Sequence, residues 1–348
     1  MITKTAEELH SLIKRVLLAA GADEGNAEVV AQHLVRSNLS GVDTHGIWTI
    51  PIYVAGMLAS EILPAGKPEI LQETPTSALV TGNWTFGHVA AKYAMEQAIS
   101  KARTQNMAVV GIVQLHHIGR LGTYVEMAAA ENMIGMVWGG GYGRVEPVSV
   151  PYGGKSRVLH TNPISVGLPA GEESTMMFDW ATTALSGVKV ENAYRRGEQL
   201  PPNSIVDKDG VPTTNPDDFF AGGGHLPFGA HKGYTLMMTA EFLGRIFTGT
   251  DSYAEAGRGG PIFLHQGVAM MAIKADLFQP FAEYAERADE MERRVRAVPP
   301  APGFDEVLAP GDLEARTREQ RRREGIPIED DIWQSLTKAA ASVGVEIA

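Results

Sequence analysis

Ile134-Gly135-Met136-Val137-Trp138-Gly139-Gly140-Gly141-Tyr142-Gly143-Arg144-Val145-Glu146-Pro147 is the stretch on which the fold turns. Its first five residues form a short apolar run that reads as a strand. Glycines behind a strand invite a dinucleotide-binding Rossmann reading. The spacing refuses it: counted from Gly139, the third glycine of G-x-G-x-x-G falls on Arg144. The context refuses it too, because Pro147 and Pro151 interrupt the helix that should follow. A flexible loop is expected here instead.

Working outward, Ala108-Val109-Val110-Gly111-Ile112-Val113 reads as a buried strand and residues 122–132 as a helix. Further upstream, Ala78-Leu79-Val80 reads as a strand and residues 87–105 as a helix. Downstream, short apolar runs at 165–168 and 175–178 are joined by turns, residues 233–247 form a long helix, and 268–273 a last strand. Strands joined by turns pair antiparallel, so this α/β region predicts a non-Rossmann domain with a mixed, mainly antiparallel sheet.

The two chain ends have another texture. Thr5 and Glu8 have capping-box spacing, and Leu9, Ile13, Val16, Leu17 and Ala20 form one helical stripe. Helices are also expected at 26–39, 52–58, 283–298, 312–324 and 330–343, with a proline-rich connector at 297–303. The expected division is a helical, substrate-side unit of residues 1–76 with 302–348, around a cofactor-binding sheet unit of 77–301.

The 348 residues are 44% hydrophobic and 20% charged, an ordinary globular composition. A formal net charge of −11 repels nucleic acid and anionic lipid, so neither is an expected partner. There is no cysteine, which excludes disulfides, a thiolate nucleophile and Cys-ligated metal. Met1-Ile2-Thr3-Lys4-Thr5 leads straight into a charged amphipathic helix with no apolar signal core, and the cytoplasm is the expected compartment. Residues 224–229 have Walker spacing, but Ala230 and His231 precede Lys232, and Gly233 stands where a Ser or Thr should hold magnesium. No P-loop is expected.

Four constellations carry candidate chemistry. Asp43-Thr44-His45-Gly46 lies between helices, and His116-His117-Ile118-Gly119-Arg120 follows a buried strand. Histidine is the usual proton-transfer group near neutral pH, although either site could equally be structural. Phe228-Gly229-Ala230-His231-Lys232-Gly233-Tyr234 opens the long helix, whose positive end and Lys232 suit a pyrophosphate or carboxylate; a plain helix start with a surface lysine is the bland alternative. Met177-Phe178-Asp179-Trp180-Ala181-Thr182-Thr183 ends a strand with an acid and two hydroxyls, where the acid either caps a turn or bonds a ribose. Arg321-Arg322-Arg323 reads as a solvated helical face.

Taken in order, several anchors resemble the malate/L-lactate/ureidoglycolate dehydrogenase family, also called sulfolactate dehydrogenase-like. They are Gly41-Val42-Asp43-Thr44-His45-Gly46, His117-Ile118-Gly119-Arg120-Leu121-Gly122, Thr161-Asn162-Pro163, Asp179-Trp180-Ala181-Thr182-Thr183, Gly210-Val211-Pro212-Thr213-Thr214-Asn215-Pro216, His231-Lys232-Gly233-Tyr234 and Pro310-Gly311-Asp312-Leu313-Glu314. The His116-His117 pair and Ala230-His231-Lys232-Gly233 are most similar to the hydroxycarboxylate dehydrogenase B branch. The resemblance implies a homodimer that transfers hydride between NAD or NADP and a 2-oxo or 2-hydroxycarboxylic acid. It implies His45 and His117 as catalytic residues, with Thr44, Trp48, His116 and Arg120 on the substrate side. Along the cofactor it places His45, Gly119, Arg120, Leu121, Thr161, Asn162, Met177, Phe178, Asp179, Trp180, Ala181, Thr182, His231, Lys232, Gly233, Gly311, Asp312, Leu313 and Glu314. Thr49 departs from the pattern: many members carry an arginine there, thought to hold the substrate carboxylate, and Arg120 is the nearest alternative cation in sequence.

Reduction of a cyclic imino acid is an alternative, because its hydride step is the same. A histidine-ligated metal hydrolase built from His45, His116, His117, His231 and Asp179, or a non-catalytic binding protein, belongs to another class; no H-x-x-x-H pair supports a metal, and no metal is expected.

Overall fold

The Met107–Leu115 strand is the pivot of the molecule. Its β-branched and aliphatic residues are buried on both faces, as a strand covered on both sides requires. In the computed structural model, which describes residues 1–141, 147–255, 258 and 266–347, this strand lies third in a seven-stranded sheet. The order is Glu69–Thr74, Ser77–Thr81, Met107–Leu115, Gln266–Lys274, Met133–Gly140, Ile164–Leu168, Met176–Trp180. The one parallel pair, Ser77–Thr81 with Met107–Leu115, is the pair connected by a helix, Gly87–Gln105. Every other neighbouring pair is antiparallel. The architecture is therefore mixed α/β with a mainly antiparallel sheet, as the turn-joined strands required. Residues 142–146, the second part of the expected glycine loop, lie outside the described residues.

Helices Gly87–Gln105 and Gly122–Ala129 cover one face, burying Ala94, Met95, Tyr124 and Val125 against Val110, Ile112 and Met270. On the other face, helix His231–Glu241 runs on into a π-helical turn, Phe242–Ile246, where one continuous α-helix was expected. A side chain at Gly244 would sit 2.1 Å from the Gly140 nitrogen, and one at Gly267 would sit 2.1 Å from the Gly244 oxygen. These glycines let the turn lie directly on the sheet.

A second core joins the chain ends. Helices Ala6–Ala19, Glu24–Leu39, Ile50–Leu58 and Asp330–Ser342 share buried Leu9, Ile13, Leu34, Ile50 and Leu336. Strand Ile2–Lys4 pairs antiparallel with Ile326–Ile328 beside them. The expected capping box is formed: Glu8 N donates to Thr5 Oγ1 at 3.1 Å and Thr5 N to Glu8 Oε2 at 2.7 Å. Several elements were not expected: strand Glu69–Thr74, helix Gly187–Arg196, and a small sheet of residues 205–206, 212–213 and 224–225. Among the described residues no helix is long and apolar enough to cross a membrane.

Candidate active site

The segment carrying His45 is shaped by Asn38, near the end of helix Glu24–Leu39. Asn38 Nδ2 donates to Asp43 Oδ1 at 2.6 Å, and its Oδ1 accepts from Ile47 N at 2.9 Å. One amide thus clamps both sides of the short 3-10 turn Asp43–His45. Gly46 has to be glycine for this, since a Cβ would fall 2.1 Å from Asn38 Oδ1. Thr44 Oγ1 lies 3.0 Å from His45 Nδ1, so the hydroxyl orients the ring. Asp43 does not share that task. Its carboxylate is held by Arg321, at 2.7 and 3.0 Å, and faces away into that ion pair. Arg321 is correspondingly no solvated residue: its side chain is 16% exposed and also donates to the Asn38 carbonyl. Trp48 Nε1 donates to the Thr44 carbonyl, and buried Thr49 donates through Oγ1 to the Gly46 carbonyl at 2.8 Å. Both residues brace the loop.

His116 and His117 follow the Met107–Leu115 strand, and neighbouring residues of extended chain point apart. His117 stacks on His45, with centroids 5.4 Å apart and planes 23° apart, and its Nδ1 lies 2.8 Å from Tyr53 Oη. His116 turns the other way, donating from Nε2 to the Glu61 carbonyl at 2.9 Å beside Trp84. The ring of His116, expected on the substrate side, is built into the scaffold. Sequence reading missed three partners. His88 lies 6.2 Å from His117 and 5.5 Å from Tyr53, and His33 lies 4.5 Å from His88. No motif surrounds them; they sit within helices as isolated polar residues, and only the fold collects them.

Burial governs their charge. It lowers His45 to about 4, with the Arg120 charge adding to the effect. Burial also holds His117 well below the usual histidine range, with His45 and His88 contributing. Both rings are therefore neutral imidazoles at neutral pH.

Arg120 has a fully buried side chain whose two terminal nitrogens each lie 3.1 Å from a Glu126 oxygen. Glu126 also receives Arg36 at 2.6 Å and Arg318 at 2.9 Å. Burial works against the Glu126 charge, yet Arg120, Arg36 and Arg318 hold it at about 2. The guanidinium expected on the substrate is thus turned onto Glu126 and closed off from solvent.

The residues expected along a cofactor gather on the edge strand Met176–Trp180 in two groups. In the first, Asp179 Oδ2 accepts from Gly122 N at 2.6 Å, tying residues 119–122 to the strand. This is the capping role, and burial pushes the Asp179 carboxyl up to about 6 against the pull of Arg120. Met177 N donates to the Pro310 carbonyl, and a side chain at Gly311 would meet Thr175 O at 3.0 Å, so residues 311–314 begin here. Asp312 is engaged by Arg296 at 2.8 Å, whereas Leu313 is exposed. In the second group, Thr182 Oγ1 donates to the carbonyls of Thr161 and Asn162 at 2.9 and 3.0 Å. Phe228 N donates to Thr182 O and leads into helix His231–Glu241. Phe178 and Trp180 stack at 4.1 Å, with Trp180 44% exposed and Ala181 beside it.

The start of that helix is open to an anionic group. No side chain caps it, Ala230 adopts φ 56°, and His231 and Lys232 are exposed. Its first N–H groups and Lys232 offer donors and positive charge, which suits a pyrophosphate. Gly233 acts through packing: a Cβ there would lie 1.8 Å from the Phe228 oxygen. The proposed metal constellation does not assemble. His231 lies by Tyr152 and His116 by Trp84, and among the described residues no group of three His, Asp or Glu side chains could hold an ion.

Comparison with known proteins agrees with this geometry. Residues 5–337 match the family model described as malate/L-lactate dehydrogenase. The L-sulfolactate dehydrogenase of Methanothermobacter thermautotrophicus is 34% identical, over 98% of this chain and 97% of its own. Hydroxycarboxylate dehydrogenase B of Escherichia coli O157:H7 is 32% identical, over 98% and 94%. Among solved structures, the Δ1-piperideine-2-carboxylate reductase of Pseudomonas syringae pvar. tomato superposes with a TM-score of 0.83 at 27% identity, covering 97% of this chain and 100% of that one. With nearly its whole length matched, the chain belongs to the malate/L-lactate dehydrogenase family.

Proposed function

We propose that this dehydrogenase interconverts 2-hydroxy and 2-oxo carboxylic acids at the stacked pair His45 and His117, with a nicotinamide cofactor lying along the Met176–Trp180 edge. The observation that carries the reading is the pair itself: two partly buried, neutral imidazoles 5.4 Å apart, each oriented by a hydroxyl, from Thr44 and Tyr53. A neutral imidazole accepts the hydroxyl proton as C2 gives up its hydride, and the resulting imidazolium returns that proton to the carbonyl oxygen in the reverse direction. His45 is the proposed proton carrier, because Thr44 engages Nδ1 and directs Nε2 toward the substrate; His117 polarises the oxygen. When bound, the cofactor supplies or takes the hydride. Gly119, Leu121, Met177, Phe178, Asp179, Trp180 and Ala181 are proposed to line it, with Gly311, Asp312, Leu313 and Glu314, and with the Arg120 side chain behind them on Glu126. Thr161, Asn162 and Thr182 shape the turn beside it, and His231, Lys232 and Gly233 form its anionic seat.

The two cores favour a helical unit of the chain ends beside a sheet unit, although strand Glu69–Thr74 joins the sheet and Phe86 and Val89 join the helical core, which blurs the proposed division into residues 1–76 with 302–348 and residues 77–301. A homodimer is supported by the exposed apolar stripe Phe242, Ile246 and Phe247, at 53, 57 and 63% exposure. Light scattering that shows an active monomer would contradict it.

Reduction of a cyclic imino acid is the second reading, favoured by the likeness to the Pseudomonas syringae reductase. The test is NADH and NADPH oxidation against 2-oxo acids and cyclic imino acids, with 2-hydroxy acids in reverse. Turnover of oxo acids supports the first reading, turnover of imines alone supports the second, and turnover of neither contradicts both.

A further inference from the structure

Helix Asp312–Glu324 carries three side chains at helical spacing, and each meets a different part of the site. At its start, Glu314 acts on the charges of Arg120 and Asp179. One turn on, Arg318 lies 2.9 Å from Glu126 and 3.2 Å from Ser40 Oγ. One turn further, Arg321 grips both oxygens of Asp43 and the carbonyl of Asn38. Positions four and three apart share a helix face, so these residues form one row.

We infer that Arg321 is a positioning residue for His45, acting through Asp43. The Arg321 fork fixes the Asp43 carboxylate in two parallel bonds, a geometry that restricts rotation more than a single contact does. Asp43 is also bonded to Asn38, whose other amide atom holds Ile47 N. His45 lies between those two anchor points, two residues after Asp43 and two before Ile47. Two 3-10 bonds, His45 N to Val42 O at 3.0 Å and Gly46 N to Asp43 O at 3.1 Å, set the local shape of the His45 turn, whereas the Asn38 clamp and this ion pair from a helix 278 residues away in sequence fix its place against the rest of the fold. Arg321 touches neither His45 nor the reacting atoms. Releasing Asp43 lets the turn shift, and a displacement of about 1 Å costs up to about 100-fold in rate.

The inference rests on the proposed role of His45, and the experiment separates the two. Arg321→Gln should lower kcat about 10- to 100-fold, leave the NADH dissociation constant within about two-fold, and leave the thermal midpoint near wild type. Arg321→Lys, which keeps the charge and loses the fork, should lie between. Arg323→Gln, on an exposed residue paired with Glu324, is the control with unchanged kcat. In a His45→Ala background, Arg321→Gln should add nothing further, because its route to the chemistry is gone. Nitrogen-detected NMR titration of His45 gives a substrate-independent readout. A loosened turn admits water, so the His45 pKa should rise from about 4 in both Arg321→Gln and Asp43→Asn. Direct charge effects alone would move the two variants in opposite directions. Should Arg321→Gln not fold, Arg321→Lys and Asp43→Asn carry the same readouts. Wild-type kcat in Arg321→Gln beside an inactive His45→Ala overturns the inference alone, as does an undiminished Arg321→Gln effect in the His45→Ala background. Wild-type kcat in His45→Ala overturns the reading of His45 and the inference with it.

Discussion

Mild acid should destabilise this protein, and the structure sets the scale. His88, His116 and His225 are fully buried, and burial lowers them to about 3, 4 and 3 from the ordinary 6.5. His88 and His225 have no hydrogen-bond partner on either ring nitrogen among the described residues. The unfolded chain takes up protons near pH 6.5 that the folded chain refuses until about pH 3–4. Stability from these groups is therefore full above pH 6.5 and falls as pH drops through that window. Each imidazole costs about 1.4 kcal/mol at pH 5.5 and about 2.7 kcal/mol at pH 4.5. Asp179 runs the other way: its carboxyl, raised by burial to about 6, is relieved on protonation and returns about 1 kcal/mol by pH 5.5. The net loss from these four groups is about 3 kcal/mol at pH 5.5, and His33, His45, His117 and His160 add to it with the same sign. Against a typical 5–15 kcal/mol this is a large share. Urea unfolding followed by tryptophan fluorescence at pH 7.5, 6.5 and 5.5 measures the slope. His225→Phe, which places a ring beside Phe219 where an imidazole now packs at 4.6 Å, should reduce the loss at pH 5.5 by about 1.4 kcal/mol. A stability that does not change between pH 7.5 and 5.5, or a His225→Phe variant with the wild-type slope, would refute the reasoning.

Two further outcomes follow from single side chains. Gly46→Ala forces a methyl into the Asn38 amide, 2.1 Å from Oδ1; it should destabilise by about 1–3 kcal/mol through the broken clamp and lower kcat, and an unchanged denaturation midpoint would count against the clamp. Lys232→Met removes one charge-assisted bond of about 1.5–3 kcal/mol, so cofactor affinity measured by NADH fluorescence should weaken about ten-fold or more, whereas an unaltered affinity makes Lys232 a surface residue.

The legible part of the fold was the part with strong local patterning. Ala108–Val113 and the Pro147–Pro151 interruption were enough to replace a Rossmann sheet with a turn-joined one. Strand Glu69–Thr74 escaped notice because it is a polar, exposed sheet edge with no alternation to detect. The π-helical turn also escaped, since it depends on Gly140, Gly244 and Gly267 meeting from distant segments. At the site, the His45 and His117 motifs stood out because they lie between regular elements with a glycine close behind. His33, His88 and Tyr53 did not, because nothing local distinguishes a ligand-facing histidine in a helix from a packed one. The Arg120 and Arg321 assignments turned on partners in other elements: Glu126 closes the first off, and Asp43 draws the second out of solvent. Sequence distance hides such ion pairs.

In the proposed mechanism His45 carries the proton and His117 polarises the oxygen, while other residues hold the cofactor. The most direct test is steady-state turnover of His45→Ala and His117→Ala on the best substrate of the panel, alongside NADH titration of each variant. Loss of proton transfer predicts a kcat about 10²–10⁴-fold below wild type for each, with cofactor affinity changed far less. Near-normal kcat in both variants, or cofactor affinity that collapses in step with kcat, would contradict it.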